Sequence, residues 1–467
     1  MPAKKHLPLL PPTVLKGSLR ADGSRDMVHP ADVHGRFDRA RTVVFYLLIA
    51  LWAALPWVKI AGNPAVFLDV EHRQFFLFGA TFNAQDTPLL FFLLSGVGFA
   101  LVYVTALLGR VWCGWACPQT VFLEGVFRKI ERLVEGPREV RMRRNKGDWT
   151  FDKLWRKAVV HTAYALAAFV IAHIILSYFT SMPGMLRMVG RDPASHPEAF
   201  IWAAALTGVL YFDFSWFREQ MCLVICPYGR LQSVLIDSDS MVVGYDEKRG
   251  EPRHKGKEKA EGQGDCIECG RCVAVCPTGI DIRNGLQIDC VGCTQCIDAC
   301  DEIMDKVERP RGLIRYTSAN KLAGEKGKFL RPRVYAYTAL LVVGAIVAAF
   351  GFNAHTSFEA NLQRLSGPPY VLDGDTIRDS FEVRLVNKTS GPVTYLVEPE
   401  PLAGVTFVVP LARVEVPSMG NVRSPVFVTI PKSLYKGDFP VHIKVRPEGG
   451  KPGDERVVIA QFLGART

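Results

Sequence analysis

Eight of the chain's twelve cysteines lie between Asp265 and Cys300. They form two runs with one spacing, C-x2-C-x2-C-x3-C, at positions Cys266, Cys269, Cys272 and Cys276, then Cys290, Cys293, Cys296 and Cys300. This spacing is typical of bacterial two-cluster ferredoxins, in which the fourth cysteine of each run binds the other [4Fe–4S] cluster. The cassette therefore predicts one cluster on the Cys266 set (Cys266, Cys269, Cys272, Cys300) and another on the Cys290 set (Cys290, Cys293, Cys296, Cys276).

Zinc is the alternative metal for these eight cysteines, because C-x2-C pairs also occur in zinc ribbons. A zinc site uses four ligands in two pairs, however, and the cassette has a doubled run of four. Pro277 follows the first run, as the ferredoxin pattern requires. The second run is followed by Asp301, which departs from that pattern but does not remove a ligand.

The other four cysteines also form a duplicated motif, C-x3-C-P, in WCGWACP and MCLVICPYGR. A separation of four residues places two thiols on one helix face if the helix continues. Two such pairs on neighbouring helices would form one four-cysteine site, and thiolates favour copper(I) or an iron–sulfur centre. Free cysteines are often simply buried as small apolar side chains, but that does not explain the repeated motif. The predicted site consists of Cys113, Cys117, Cys222 and Cys226.

Long apolar runs must position these motifs. A membrane-spanning helix needs about 20 predominantly apolar residues, and five runs qualify: 42–58, 87–109, 158–180, 199–217 and 334–352. The two C-x3-C-P motifs follow the second and fourth runs. The net charge of +10 is thus interpreted as that of a membrane protein with positive cytoplasmic loops, and binding of nucleic acid is not expected.

Lysine and arginine are divided unevenly between the loops. Twelve lie in 110–157 and eighteen in 222–333, but only two each in 59–86 and 181–198. Positive loops stay in the cytoplasm. The N-terminus and the cassette are therefore predicted to be cytoplasmic, which argues against disulfide bonds there, and five crossings place residues 355–467 outside.

The fold class follows as a multi-domain membrane protein with a helical bundle of five transmembrane helices. The segment after the last helix alternates apolar and polar residues between Gly, Pro and Asn, which predicts an immunoglobulin-like β-sandwich. An amphipathic stretch after Cys117 is predicted to lie along the inner membrane face. The predicted domains are a loosely ordered cytoplasmic tail, four membrane helices, a cytoplasmic segment with the ferredoxin domain (about 260–310), a fifth helix and the sandwich, at 1–41, 42–221, 222–333, 334–352 and 355–467.

These features together resemble, over nearly the whole chain, the cytochrome c oxidase accessory proteins called CcoG, FixG or RdxA. The C-x3-C-P pairs are also similar to those of NapH-type quinol dehydrogenases and NosR-type regulators. The fifth helix and external sandwich favour the accessory family. The resemblance implies a bacterial inner-membrane protein with a periplasmic sandwich. It also implies a role in assembly of cbb-type cytochrome c oxidase, with copper(II) reduced to copper(I) for delivery to the oxidase or its copper chaperones.

The predicted activity is that of an oxidoreductase, a cupric reductase, with Cys113, Cys117, Cys222 and Cys226 as the catalytic residues and copper candidates. Copper(II) prefers nitrogen and oxygen ligands and copper(I) prefers sulfur. The chain has no glycine-rich dinucleotide motif, so a separate protein or quinol must supply electrons. Two alternatives remain: a quinol dehydrogenase-like electron-transfer subunit, and a redox-sensing scaffold for oxidase assembly.

Overall fold

The computed structural model describes residues 27–60, 63–70, 74–83, 86–190, 193–194, 196–353, 358–389, 391–418, 420–450 and 454–464. The chain divides into two compact units, which are described separately. The first comprises Met1–Val58 and Phe91–Ile346, and the second comprises Lys59–Leu90 and Val347–Thr467.

The α-helices of the described residues lie mostly in the first unit. In chain order they are α1 (Arg36–Ala54), α2 (Thr87–Leu108), α3 (Val111–Trp115), α4 (Pro118–Phe122), α5 (Arg128–Glu135), α6 (Arg138–Lys146), α7 (Phe151–Thr180), α8 (Met182–Val189), α9 (Pro197–Phe212), α10 (Pro227–Leu235), α11 (Glu247–Gly250), α12 (Arg271–Ala274), α13 (Gln295–Lys306), α14 (Ala319–Ala323) and α15 (Pro332–Asn353).

Four helical segments of the described chain are long and apolar enough to cross a membrane. They are Leu89–Leu108, Phe151–Thr180, Pro197–Phe217 and Pro332–Gly351. Four of the five predicted apolar runs are therefore confirmed as membrane-length helices, because each of these segments contains most of one run.

The first predicted run, 42–58, behaves differently. It contributes to α1, which begins with the charged residues Arg36, Asp38, Arg39 and Arg41. The uncharged part from Thr42 to Ala54 spans about 20 Å at 1.5 Å per residue, less than the roughly 30 Å hydrocarbon core of a bilayer. The helix ends at Ala54, shortly before Pro56, which has no backbone N–H to continue the helical hydrogen bonds.

The segment before α1 corrects the prediction of a loose tail up to residue 41. Ala31 and Val33 are buried against Val275 and Ala299 of the ferredoxin domain. The Ala31 amide also donates a 2.8 Å hydrogen bond to the Ala274 carbonyl. Burial of these apolar side chains holds the described part of the tail in place. Residues 1–26 lie outside the described residues.

Three single π-helical turns lie near the C-x3-C-P motifs, at Leu123–Phe127, Asp213–Phe217 and Met221–Ile225. Such turns are rare and occur frequently at functional sites. The first two pack together, with the rings of Phe127 and Phe214 stacked at 4.4 Å. The amphipathic stretch after Cys117 is helical as predicted, and Phe127 is fully buried against α7, although Leu133 is 86% exposed.

The ferredoxin domain is closed by two short antiparallel strands, β6 (Val242–Tyr245) and β7 (Ile314–Thr317). The cassette lies between them in the chain. Its two cysteine loops lead into α12 and α13, and the small core that supports them contains Ile297, Met304, Leu313 and Ile314.

The second unit contains the predicted β-sandwich, which is confirmed. One sheet has the order β12-β14-β10-β8, with β9 also paired to β10, and the other has the order β13-β11-β15-β16. Alternate residues such as Phe381, Val383 and Leu385 fill the core between them. The strands are β8 (Phe358–Arg364), β9 (Val371–Asp373), β10 (Thr376–Asn387), β11 (Val393–Pro399), β12 (Thr406–Val408), β13 (Arg413–Val416), β14 (Asn421–Pro431), β15 (Phe439–Pro447) and β16 (Arg456–Phe462).

The same unit holds small antiparallel sheets that the sequence analysis did not predict. Their strands are β1 (Lys59–Ile60), β2 (Asn63–Pro64), β3 (Val66–Asp69), β4 (Gln74–Leu77) and β5 (Ala80–Asn83). Lys388 of the sandwich is buried and lies 2.8 Å from Asp86 and 2.5 Å from Glu359. This ion cluster fixes the residue before α2 to the sandwich.

Candidate electron-transfer centre

The Cys266 set is assembled from two elements. Cys266, Cys269 and Cys272 come from the loop that runs into α12, and Cys300 comes from α13. All four cysteines line one cavity, whose other walls include the apolar side chains of Ile267, Ile303, Met304, Leu313 and Ile314. The fourth residue of the second cysteine run thus lies with the first three of the first run.

The Cys290 set shows the reciprocal arrangement. Cys290, Cys293 and Cys296 line a second cavity, together with Cys276 from the first run. The loop turns sharply at Gly292, whose φ is +67°, and at Thr294, whose φ is +65°. Four thiols around an apolar space are the donor set that a [4Fe–4S] cluster requires, so both sets fit the predicted cofactors.

The cassette thiols are strongly affected by their surroundings. Burial, reinforced by neighbouring thiols, raises the pKa of Cys300 to about 12. Burial likewise raises the pKa of Cys272 and of Cys293 to about 12. Iron binds the thiolate form, so occupation of either set would displace protons.

The two C-x3-C-P motifs fold alike. Cys113 lies in α3 and Cys222 in the third π turn, and each motif leaves the helical conformation at its second cysteine. Cys117 has ψ 127° and Cys226 has ψ 110°. The helix does not continue through either motif, because the following proline disfavours the helical conformation in the preceding residue. Each proline instead begins a new helix, α4 or α10.

The four cysteines of the two motifs lie near enough to influence one another electrostatically. Burial is the largest cause that raises the pKa of Cys113, to about 11, and the Cys117 thiol adds to it. The pKa of Cys222 is also raised, by burial and then by the thiols of Cys117, Cys113 and Cys226. Across the described residues, no three His, Cys, Asp or Glu side chains converge closely enough to hold a single metal ion.

Polar side chains surround the four-cysteine site. The Cys113 thiol donates to the Gln232 side-chain oxygen at 3.4 Å. The Gln119 amide nitrogen donates to the Asp213 carboxylate at 3.2 Å and to the Arg218 carbonyl at 3.1 Å. The sequence analysis missed both glutamines, since they follow the two motifs at different spacings and no pattern distinguishes them.

The four-cysteine site lies directly beside the Cys290 set. Gly114, between Cys113 and Cys117, is packed so closely that a Cβ there would lie 2.5 Å from the Gly292 carbonyl oxygen and 3.0 Å from the Cys293 nitrogen. Only glycine permits this backbone contact. The Trp115 indole nitrogen also donates to the Tyr316 hydroxyl at 3.1 Å, at the end of the ferredoxin domain.

A network of buried ion pairs lies next to the contact between the four-cysteine site and the cassette. Glu131 accepts from Arg218 and, at 2.9 Å, from Arg141. Burial alone would raise the pKa of Glu131, but the Arg218 guanidinium, with smaller help from other donors, lowers it to about 2. Arg128 joins the network to the cassette, because it lies 3.4 Å from Glu219 and donates to the Pro277 carbonyl at 3.1 Å.

Three family models match this chain. Residues 89–137 match a 4Fe-4S binding domain, residues 217–319 match a 4Fe-4S dicluster domain, and residues 348–464 match the "IG-like fold at C-terminal of FixG, putative oxidoreductase". The "Nitrogen fixation protein FixG" of Rhizobium meliloti (strain 1021) is 32% identical over 88% of this chain and 88% of its own length.

The chain belongs to the FixG family. Two further members from Cereibacter sphaeroides agree: "Protein RdxA" is 31% identical over 95% of this chain and 98% of its own length, and "Protein RdxB" is 36% identical over 78% and 80%. A solved "FixG-related protein from Vibrio parahaemolyticus" matches 23% of this chain and 97% of its own, at 13% identity and a TM-score of 0.21. This FixG protein is a membrane iron–sulfur electron-transfer protein with 4Fe-4S ferredoxin domains and a C-terminal immunoglobulin-like domain.

Proposed function

We propose that this FixG protein passes single electrons from its cassette to the four-cysteine site, where copper(II) is reduced to copper(I) for assembly of cbb-type cytochrome c oxidase. One observation carries the proposal: the backbone of Gly114 touches Gly292 and Cys293, so the two sites share an interface. Copper is the substrate of this reaction. It gains one electron from a reduced cassette, which a separate donor, a soluble protein or quinol, reduces again.

The ligand assignments belong to the same proposal. The Cys266 set and the Cys290 set would each hold one [4Fe–4S] cluster, which supplies reversible one-electron transfer when bound. Cys113, Cys117, Cys222 and Cys226 would have to move closer together to bind one copper ion through sulfur, since no three of them converge on a single metal position in the described structure. Sulfur ligands stabilise copper(I) over copper(II), so this site favours the reduced product. The protein would then give copper(I) to the oxidase or to its copper chaperones.

A third iron–sulfur cluster on the four-cysteine site is the second candidate. One observation favours it: residues 89–137 match a 4Fe-4S binding domain, yet the only cysteines there are Cys113 and Cys117. A cluster in this place would need Cys222 and Cys226 as its other two ligands. Electrons would then leave from a third cluster, and copper would be reduced elsewhere or not at all.

Stopped-flow mixing separates these two candidates. Full-length protein, reduced with dithionite under anaerobic conditions, is mixed with copper(II) while the iron–sulfur absorbance is followed. We expect Cys117→Ser and Cys226→Ser to keep the iron content of two clusters and to slow copper-driven oxidation sharply. Cys269→Ser is the contrasting variant, since it should lose cassette iron.

Oxidation of the Cys117→Ser and Cys226→Ser variants at the parent rate would refute the copper site. Loss of one cluster's worth of iron from either variant would instead support the third cluster. Quinol-driven reduction of the parent clusters without any reaction with copper would favour a quinol dehydrogenase. Normal oxidase assembly with cassette variants would favour the scaffold.

We infer further that the protein lies in the bacterial inner membrane with five spans, the first being residues 42–58, which extend beyond the end of α1 at Ala54. The arginines at the start of α1 and the basic loops support a cytoplasmic N-terminus and cassette and a periplasmic sandwich. The predicted domain division is retained, with the first helix beginning at Arg36. A reporter active only outside the cytoplasm should work when fused after Thr467 and fail after Gly262. The reverse result would contradict this orientation.

A further inference from the structure

Two arginines stand between the four-cysteine site and the Cys290 set. Arg110, three residues before Cys113, donates to the carbonyls of Ile288 and, at 2.8 Å, of Cys290. The same guanidinium donates at 3.3 Å to the Gly229 carbonyl in α10, just after the second C-x3-C-P motif. Arg110 therefore joins both motifs to the loop that carries the Cys290 set.

Arg41 of α1 occupies the other side of this interface. It is buried, and its Nε donates at 3.0 Å to the carbonyl of Gly114, the residue whose backbone touches Cys293. Its Nη2 is buried and has no hydrogen-bond partner within the described chain. A buried cationic donor without a partner is costly, and an anionic group at this interface would satisfy it.

Neither guanidinium is neutralised by a carboxylate ion pair among the described residues, and the acceptors of both are backbone carbonyls.

The Cys266 set has a different electrostatic environment. Two arginines, Arg271 and Arg283, line its cavity. Arg283 is held by Asp281 in a two-pronged ion pair with distances of 2.8 and 2.7 Å, and Arg271 donates to the Asp32 carbonyl. An acidic residue adjoins each set, but Asp301 after Cys300 is buried, whereas Asp289 before Cys290 is only half-buried. One of the two cations on this side is therefore paired with a carboxylate, whereas neither of the two beside the Cys290 set is.

We propose that Arg110 and Arg41 give the cluster on the Cys290 set a higher reduction potential than the cluster on the Cys266 set. This inference rests on the cluster assignments of the proposed function. Reduction adds one electron, hence one negative charge, to a centre whose potential depends on net charge and hydrogen bonding. Uncompensated positive charge stabilises that reduced state. One electron then moves from the Cys266 side to the Cys290 side, toward the four-cysteine site, without transfer of an atom.

The test is an anaerobic redox titration of the full-length protein, monitored by electron paramagnetic resonance. The Cys290-set signal is assigned as the one lost in Cys290→Ser. In the parent, this signal should appear at the higher potential. In Arg110→Gln, we expect the ratio of reduced to oxidised Cys290-set cluster at a fixed potential to fall at least tenfold. For a one-electron centre this corresponds to a reduction potential lowered by about 59 mV. The other signal should not move.

Matched variants distinguish the effect of the positive charge on the reduction potential from the effect of the guanidinium geometry. Arg110→Lys keeps the charge without the guanidinium fork and should retain most of the parent potential, and Arg41→Gln should repeat the fall independently. Arg283→Gln should move only the Cys266-set signal. Equal shifts in Arg110→Lys and Arg110→Gln, or no shift in Arg110→Gln and Arg41→Gln, would overturn the inference.

Failure of this inference and failure of the proposed function give different results. Unshifted potentials together with rapid copper-driven oxidation would remove the role of the arginines and leave the copper reductase intact. Shifted potentials together with unchanged oxidation in the Cys117→Ser variant would leave the arginine inference standing and refute the copper site.

Discussion

Replacement of Gly114 by alanine tests whether the backbone contact between the two sites carries electrons. The new Cβ would start 2.5 Å from the Gly292 oxygen, whereas ordinary contact begins at 3.4 Å, so the interface must open by about 0.9 Å. The neighbouring atoms are backbone and cannot rotate away. A misplacement of about 1 Å can cost up to ~10²-fold in rate, and electron transfer falls steeply with separation, so we expect copper-driven oxidation to slow about 10-fold.

The assay is stopped-flow oxidation of the dithionite-reduced protein by copper(II). Gly98→Ala is the matched control, because a Cβ at Gly98 in α2 meets nothing within 4 Å. All twelve cysteines remain in both variants, so iron content and resonance spectra should match those of the parent. An unchanged oxidation rate in Gly114→Ala, with the clusters intact, would refute the claim that electrons cross at this contact.

Three further predictions concern a cluster ligand in the cassette and two buried ion pairs that stabilise the fold. Cys276→Ser should damage the cluster on the Cys290 set and spare the other, which electron paramagnetic resonance would show; loss of only the other signal would refute the crossed ligand pattern. Lys388→Met should destabilise the second unit by about 3–5 kcal/mol, because the buried Asp86 carboxylate loses its cation. Thermal unfolding should show a much smaller change for Lys436→Met, since Lys436 is exposed. The pKa of Glu131, lowered from 4.5 to about 2, implies about 3 kcal/mol of stability that is complete above pH 4.5 and lost as the pH falls through 2. Glu131→Gln should therefore flatten the acid dependence of thermal stability across this range, and an unaltered dependence would contradict the assignment.

The parts of the fold that depend on local residue patterns could be predicted from the sequence. Alternation in stretches such as 381–385 was sufficient to predict the sandwich, and apolar length was sufficient for four membrane helices. The cassette spacing also predicted which cysteines lie together in the structure, because in this motif the fourth cysteine of each run lies with the first three of the other run. Whether those cysteines hold clusters as assigned stays a prediction.

Other parts depended on contacts between distant residues and were not predictable. Neither helix continues through its C-x3-C-P motif, and the two motifs are instead linked by hydrogen bonds to α10, from Cys113 to Gln232 and from Arg110 to the Gly229 carbonyl. The tail up to residue 41 was predicted to be polar and loosely ordered, but Ala31 and Val33 pack against apolar side chains more than 200 residues away in the chain. The close approach of Gly114 to the Gly292 backbone was not predictable either, because the two residues lie far apart in the chain.

X-ray absorption at the copper edge tests the central claim most directly. The dithionite-reduced, full-length protein is mixed anaerobically with one equivalent of copper(II), excess reductant having been removed. The account predicts a copper(I) edge with a sulfur-only ligand shell in the parent. It also predicts loss of that shell when Cys113, Cys117, Cys222 and Cys226 are all changed to serine with the cassette clusters retained. Copper that stays divalent with nitrogen and oxygen ligands, or a sulfur shell that survives in the fourfold variant, would contradict it.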